Sequence, residues 1–248
     1  MAEDGMSLRC SRHVHVPQAS RKELRAILGN PTPLGVMGFI LSLTPLACDL
    51  MEWRGAGGFG AATVGTAYFF GGLLMILAAV LEFILGNTFI FVVFSSYAAF
   101  WLSLAATLTP FYAAYTAYEP SDPTNPGFNN SYAFFEVFMG LLCFIYLICS
   151  IRTNICFMVI FLALTLGFSF LAATSWQLAN GNAHLARSLK KVGTASFCRG
   201  ACLFVGAMSG WYFLLVQMLA SVDFPFTLPV GDLSRIIGGA SDKGAKKV

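Results

Sequence analysis

The residues able to do chemistry are few, and they sit at the margins of apolar runs. Asp49, Glu52, Glu82, Glu136 and Arg199 are the charged side chains within those runs, all near their ends. A chain of mid-run carboxylates, which a proton-driven pump would need, is missing. The sequence contains no HExxH, GxSxG or Walker string, the patterns that hold zinc, expose a nucleophilic serine or cradle a triphosphate. His13 and His15 lie in a polar leading segment and His184 in a loop. No CxxC pair occurs; Cys48, Cys143, Cys149, Cys156 and Cys202 fall inside apolar runs, where cysteine acts as a small hydrophobe. Cys198 and Cys202, at helical spacing, suit packing better than metal binding. No enzyme activity, metal or cofactor is expected.

What remains is a set of polar strings with pronounced backbone character. In Asn30-Pro31-Thr32-Pro33-Leu34-Gly35-Val36-Met37-Gly38-Phe39, two prolines suit a turn leading into the first turn of a helix, where a missing N–H costs nothing. Asn30 precedes a proline and is placed to cap that helix. Gly35 and Gly38 lie on neighbouring helical positions and permit close backbone approach. A helix N-terminus of this kind can hold a carboxylate. In Leu81–Phe89, Gly86-Asn87 is a turn pair that joins two antiparallel helices tightly; Thr88 opens the next helix. Glu82 is expected at the end of its run, where full burial is unnecessary. In Phe94-Ser95-Ser96-Tyr97-Ala98-Ala99-Phe100-Trp101, Tyr97, Trp101 and Phe94 share one helical face, and the Ser-Ser-Tyr cluster needs hydrogen-bond partners in an apolar setting.

The elements that must position these residues are membrane spans. Of 248 residues, 57% are hydrophobic and 11% charged, against about a quarter charged in soluble domains. Six apolar runs, placed at about 34–53, 61–83, 89–109, 132–151, 155–176 and 199–220, each approach the roughly 20 residues that cross a bilayer. The expected fold is all-α and polytopic, with a disordered tail at 1–29 (a short helix near Arg21–Leu28), a six-helix membrane domain at 30–222 and a second tail at 223–248. Basic residues are denser in the tails and at Arg152 than at Arg54, Arg187, Lys190, Lys191 and Arg199, which favours cytoplasmic N- and C-termini. The sequon Asn129-Asn130-Ser131 then falls in the longest outer loop, and the basic outer loop either attracts small anions or snorkels to lipid phosphates. Tyr112, Tyr115 and Tyr118 suit an interfacial aromatic belt. Gly206 and Gly210 form a GxxxG motif that serves either internal packing or a subunit interface. Scattered charge of net +3 argues against a nucleic-acid partner.

These strings carry a family resemblance. NPTPLGVMGF resembles the N-P-x-P-L-G-L-x-G-F signature of the acetate uptake transporter family, which includes yeast-type acetate permeases and the bacterial succinate–acetate permease. The E-x-x-x-G-N-T-F string at Glu82–Phe89 and the F-x-S-Y-x-x-F-W string at Phe94–Trp101 extend it, over roughly residues 28–222. The resemblance implies a plasma-membrane, multi-pass protein of six-helix protomers assembled as hexamers, with a path for acetate through each. It implies an aromatic–aliphatic constriction at Phe39, Tyr97 and Leu164. Asn30, Pro31, Pro33, Gly35 and Gly38 would frame the pore mouth; Glu82, Gly86, Asn87 and Thr88 form the second motif. Val36 replaces a common Leu, Met75 stands where bacterial members often carry Gln, and the long 119–131 loop resembles fungal members. Ammonia or ammonium export, and a nutrient sensor without transport, are the competing expectations.

Overall fold

The computed structural model describes residues 24, 27–121, 125–180 and 195–234, with side chains in the last stretch from residue 200 onward. His13, His15, His184, Arg187, Lys190, Lys191 and the lysines of the second tail lie outside the described residues, as does the side chain of Arg199.

Helix α1 spans Thr32–Leu50, with Pro31 at its N-cap and Pro33 in its first turn. The Asn30 Oδ1 accepts the Thr32 amide at 3.1 Å, so asparagine and prolines together set where the helix starts. Pro45 sits inside α1, where its ring removes one backbone bond. Next to it, the Thr44 hydroxyl donates to the Ile40 carbonyl (2.7 Å) and accepts the Trp211 indole N–H (3.0 Å). The helix stops at Leu50, short of the expected 53, because Glu52 and Arg54 adopt φ of 57° and 56°.

Helix α2 spans Ala61–Ile84 and changes character along its length. It opens with a tight 3₁₀ turn at Ala61–Thr63, widens into a π-helix over Ala67–Leu74 and continues as α-helix from Met75. Gly71 and Gly72 lie in the wide stretch. A Cβ on Gly71 would stand 2.4 Å from the Trp101 Cγ, and one on Gly72 2.4 Å from the Leu102 Cδ2. Both glycines therefore let α3, Thr88–Leu108, rest against bare backbone.

Helix α4 spans Pro126–Ser150 and begins well before the expected 132. Asn125 supplies the reason: its side chain accepts the Gly127 and Phe128 amides at 2.8 and 3.3 Å, and Pro126 opens the helix where proline is tolerated. Residues read as loop are thus a capped first turn. Asn129 of the sequon is a buried helical residue whose amide donates to the Asn125 carbonyl at 3.0 Å, not a loop residue. Tyr115 and Tyr118 close on Phe128, with ring centroids 4.6 and 5.8 Å away, and Tyr112 is exposed. Helix α5 runs Ile155–Ala179, capped by the Asn154 side chain on the Phe157 amide (2.9 Å), and α6 runs Ala195–Ser221.

Among the described residues, six helices are long and apolar enough to cross a membrane, so the protein is an all-α, multi-pass membrane protein. They pack in the order α4, α5, α6, α1, α2, α3. Aromatic side chains bring α3 back to α4 and α5: Phe100 stacks on Phe135 and meets Phe168 edge-on. The GxxxG motif serves internal packing. A Cβ on Gly206 would lie 3.3 Å from the Ala163 Cβ, and one on Gly210 2.5 Å from the Ile40 Cγ2, so α6 is wedged between α5 and α1. Beyond α6 the chain folds back as a strap. Ile155 donates to the Gly231 carbonyl (2.9 Å), Leu233 to Thr153 (3.0 Å), and the Tyr212 hydroxyl to Pro229 (2.7 Å).

Candidate permeation site

Two aromatic rings meet in the bundle interior. Phe39, one turn past Gly35 and next to Gly38 of α1, and Tyr97 of α3 stand 5.7 Å apart between centroids at 62°, an edge-to-face arrangement favoured by ring quadrupoles. Beside them is an apolar cavity of about 20 Å³, room for about one water molecule. Val36 and Phe39 of α1 line it with Met75 of α2 and Val93, Phe94 and Tyr97 of α3. Phe157, Ile160 and Phe161 of α5 complete the wall. Anything larger than water fits this space only if these side chains move.

Leu164 is buried on the same face of α5, one turn beyond Ile160 and Phe161, and is not among the residues lining this cavity. The structure thus brings Phe39 and Tyr97 together and sets Leu164 one turn further along. The α5 contributors were not identified from sequence. Their spacing at 157, 160, 161 and 164 is a helical face, but α5 is apolar all round and its pattern does not single that face out.

The glycines of the first motif explain how Phe39 reaches the interior. A Cβ on Gly35 would stand 2.2 Å from the Phe94 Cε2, and one on Gly38 2.5 Å from the Phe70 carbonyl oxygen. Helix α1 therefore lies directly on an α3 ring and on α2 backbone. The hydroxyls of α3 find partners as the apolar setting demands. Tyr97 Oη and Cys143 Sγ are 3.0 Å apart. The Ser96 hydroxyl donates to the Val93 carbonyl and accepts from the Tyr146 hydroxyl, each at 2.9 Å. Tyr97 is thereby held from its far end by α4.

Glu82 departs from expectation. Instead of facing solvent at the end of α2, it is fully buried (0% exposed). The Thr32 hydroxyl donates to its Oε1 and the Asn87 side-chain amide to its Oε2. The Asn87 backbone amide also donates to the Glu82 carbonyl at 2.8 Å. Gly86, at φ 69°, makes the left-handed turn that returns Asn87 to this carboxylate. Asn87 precedes α3, which Thr88 opens, yet leaves its amides uncapped, because its side chain is committed to Glu82. The first motif and the α2–α3 turn are therefore one cluster, in which a carboxylate ties the start of α1 to the end of α2. A second buried carboxylate, Glu136 of α4, accepts from the Ser175 hydroxyl of α5 at 2.7 Å.

Residues 15–235 match the profile of the GPR1/FUN34/yaaH family. Protein alcS of Aspergillus fumigatus is 45% identical over 214 residues, spanning 84% of this chain and 76% of that protein. The acetate transporter protein patA of Aspergillus clavatus is 29% identical over 209 residues, spanning 84% of this chain and 80% of the relative. The structure of the bacterial acetate channel SatP superimposes with a TM-score of 0.64 at 27% identity, over 82% of this chain and 99% of that one.

Proposed function

The chain belongs to the GPR1/FUN34/yaaH family, and from that premise we propose that it carries acetate and related small monocarboxylates across the plasma membrane, by channel-like or proton-linked permeation. The observation that carries the reading is the Phe39–Tyr97 pair beside a small apolar cavity, at the centre of six membrane-crossing helices. Phe39 and Tyr97 form the constriction and Leu164 continues it. Asn30, Pro31, Pro33, Gly35 and Gly38 frame one mouth, which the Glu82, Gly86, Asn87 and Thr88 cluster holds in shape. By the basic residues of the tails, that mouth faces the cytoplasm. The protomers assemble as hexamers, as the family resemblance implies.

The physics of the constriction suits a small acid. An unpaired carboxylate costs several kcal/mol to bring into an apolar wall, whereas the neutral acid carries no such penalty. With a pKa near that of Asp or Glu, only about one molecule in a thousand is neutral at pH 7. Passage therefore uses either that minority or donors that meet the anion on each side of the rings.

The test is uptake of labelled acetate into proteoliposomes, wild type beside Phe39→Ala and Tyr97→Ala, with and without an imposed pH gradient. Wild-type uptake with altered rates in both variants supports the constriction, and gradient dependence at fixed acetate species supports proton linkage. Folded wild type that moves no acetate at any pH overturns the reading. Ammonium flux in the same vesicles would then favour ammonia export, and its absence a sensor.

A further inference from the structure

Among the described residues, two buried side-chain polar atoms have no hydrogen-bond partner, and one is the Trp101 Nε1. Trp101 is 2% exposed. A buried donor left unpaired costs about 1–3 kcal/mol, so an indole N–H in this position calls for an acceptor. Phenylalanine would fill much of the same space without the penalty.

Its place in the fold says which acceptor. Trp101 is one turn beyond Tyr97 on the buried face of α3, away from the Thr32 end of the bundle. Each neighbouring wall makes the same step. Phe39 is followed by Leu43 on α1, Ile160 by Leu164 on α5, and Met75, on a helix running the other way, by Gly71. Gly71 is the residue that admits the indole, since any Cβ there would stand 2.4 Å from the Trp101 Cγ. Leu43, Gly71 and Leu164, the residues at this step on the other helices, carry no hydrogen-bonding side chain. Phe100, next to it in sequence, meets the indole edge-on at 5.3 Å between centroids and also contacts Phe135 and Phe168. A lone donor cannot ligate a cation, but it can receive one oxygen of a carboxylate leaving the aromatic pair.

We infer that Trp101 is a binding station for the carboxylate of the permeant, one turn past the Phe39–Tyr97 constriction, with its indole N–H as the donor. The inference rests on the acetate reading above and deepens it. The N–H offers a hydrogen bond at the point where an anion has left one set of donors and has not reached the next. A charge-assisted bond of this kind is among the stronger ones available. The π-helix of α2 and its glycine are then part of the site, because Gly71 leaves the room that the indole occupies.

The experiment uses the full chain in lipid nanodiscs, with ¹⁵N-labelled indoles. The four tryptophans give separate N–H signals, and Trp101→Phe assigns one of them. Potassium acetate should move the Trp101 signal saturably, whereas potassium chloride should leave it in place. In proteoliposomes Trp101→Phe should raise the half-saturating acetate concentration about tenfold, near the lower end of a charge-assisted bond. A benzothienyl side chain at 101, which keeps the indole shape without the N–H, should do the same if the smaller ring disturbs folding. Wild type that transports acetate with an unmoved Trp101 signal would show a water or no ligand at that N–H, and overturns the inference. So does a benzothienyl variant with wild-type half-saturation. Wild type that moves no acetate defeats the functional reading itself, a result visible in the uptake assay alone.

Discussion

Replacing Thr32 by valine should test whether the buried carboxylate holds the bundle together. Valine keeps the shape of threonine and removes only the hydroxyl that donates to the Glu82 Oε1. Glu82 is fully buried, so no solvent replaces the lost bond. Hydrogen bonds to charged groups contribute about 1.5–3 kcal/mol, whereas interhelical polar bonds in membrane proteins average about 0.6 kcal/mol. Complete burial and a carboxylate acceptor place Thr32→Val near 2 kcal/mol, roughly 4–8 °C of melting temperature for a chain of this size. Asn87→Ala removes the donor to Oε2 and should cost a similar amount. Because both donors serve one carboxylate, the pair should be non-additive by about 0.5 kcal/mol or more. Glu82→Leu should be the most damaging, as it leaves the Thr32 hydroxyl and Asn87 amide without their acceptor. The assay is thermal unfolding in detergent at one fixed heating rate, since irreversible unfolding makes the midpoint depend on that rate. A Thr32→Val midpoint within about 2 °C of wild type, with additive behaviour beside Asn87→Ala, would refute the clamp.

Two further outcomes follow from close approaches in the bundle. Gly210→Leu drives a side chain into Ile40, since even a Cβ would stand 2.5 Å from the Ile40 Cγ2. It should cost about 1–3 kcal/mol, read as a lower midpoint of the solubilised protein, and an unchanged midpoint would contradict the α1–α6 contact. The Asn129 sequon should carry no glycan when the protein is made in a secretory host, because its amide is buried and bonded to the Asn125 carbonyl at 3.0 Å; a mobility shift on glycosidase treatment would show that residue exposed.

Much of the architecture was legible in the chain itself. Six apolar runs of span length are a one-dimensional property, because a bilayer selects on length and polarity alone, and all six appear as helices. The proline–asparagine start of α1 was equally readable, since proline acts on its own backbone and its neighbour's. The first turn of α4 was not: Pro126 and Gly127 read as loop until the Asn125 cap was seen to satisfy the opening amides.

The candidate site divides along the same line. The family resemblance of the motifs singled out Phe39 and Tyr97, while local spacing placed Gly35 and Gly38 on neighbouring positions of one helix; the sequence did no more. It could not say that Gly35 admits Phe94 or that Gly71 admits Trp101, nor that Phe157 and Ile160 share a cavity wall with Val36. It misjudged Glu82, whose burial depends on Thr32, fifty residues earlier in the chain, folding back over it. Residue type, length and local backbone preference act along the chain, and the sequence determined them. Which glycine faces which ring, and whether a carboxylate meets water or two donors, is decided where distant helices touch, and only the tertiary structure decided that.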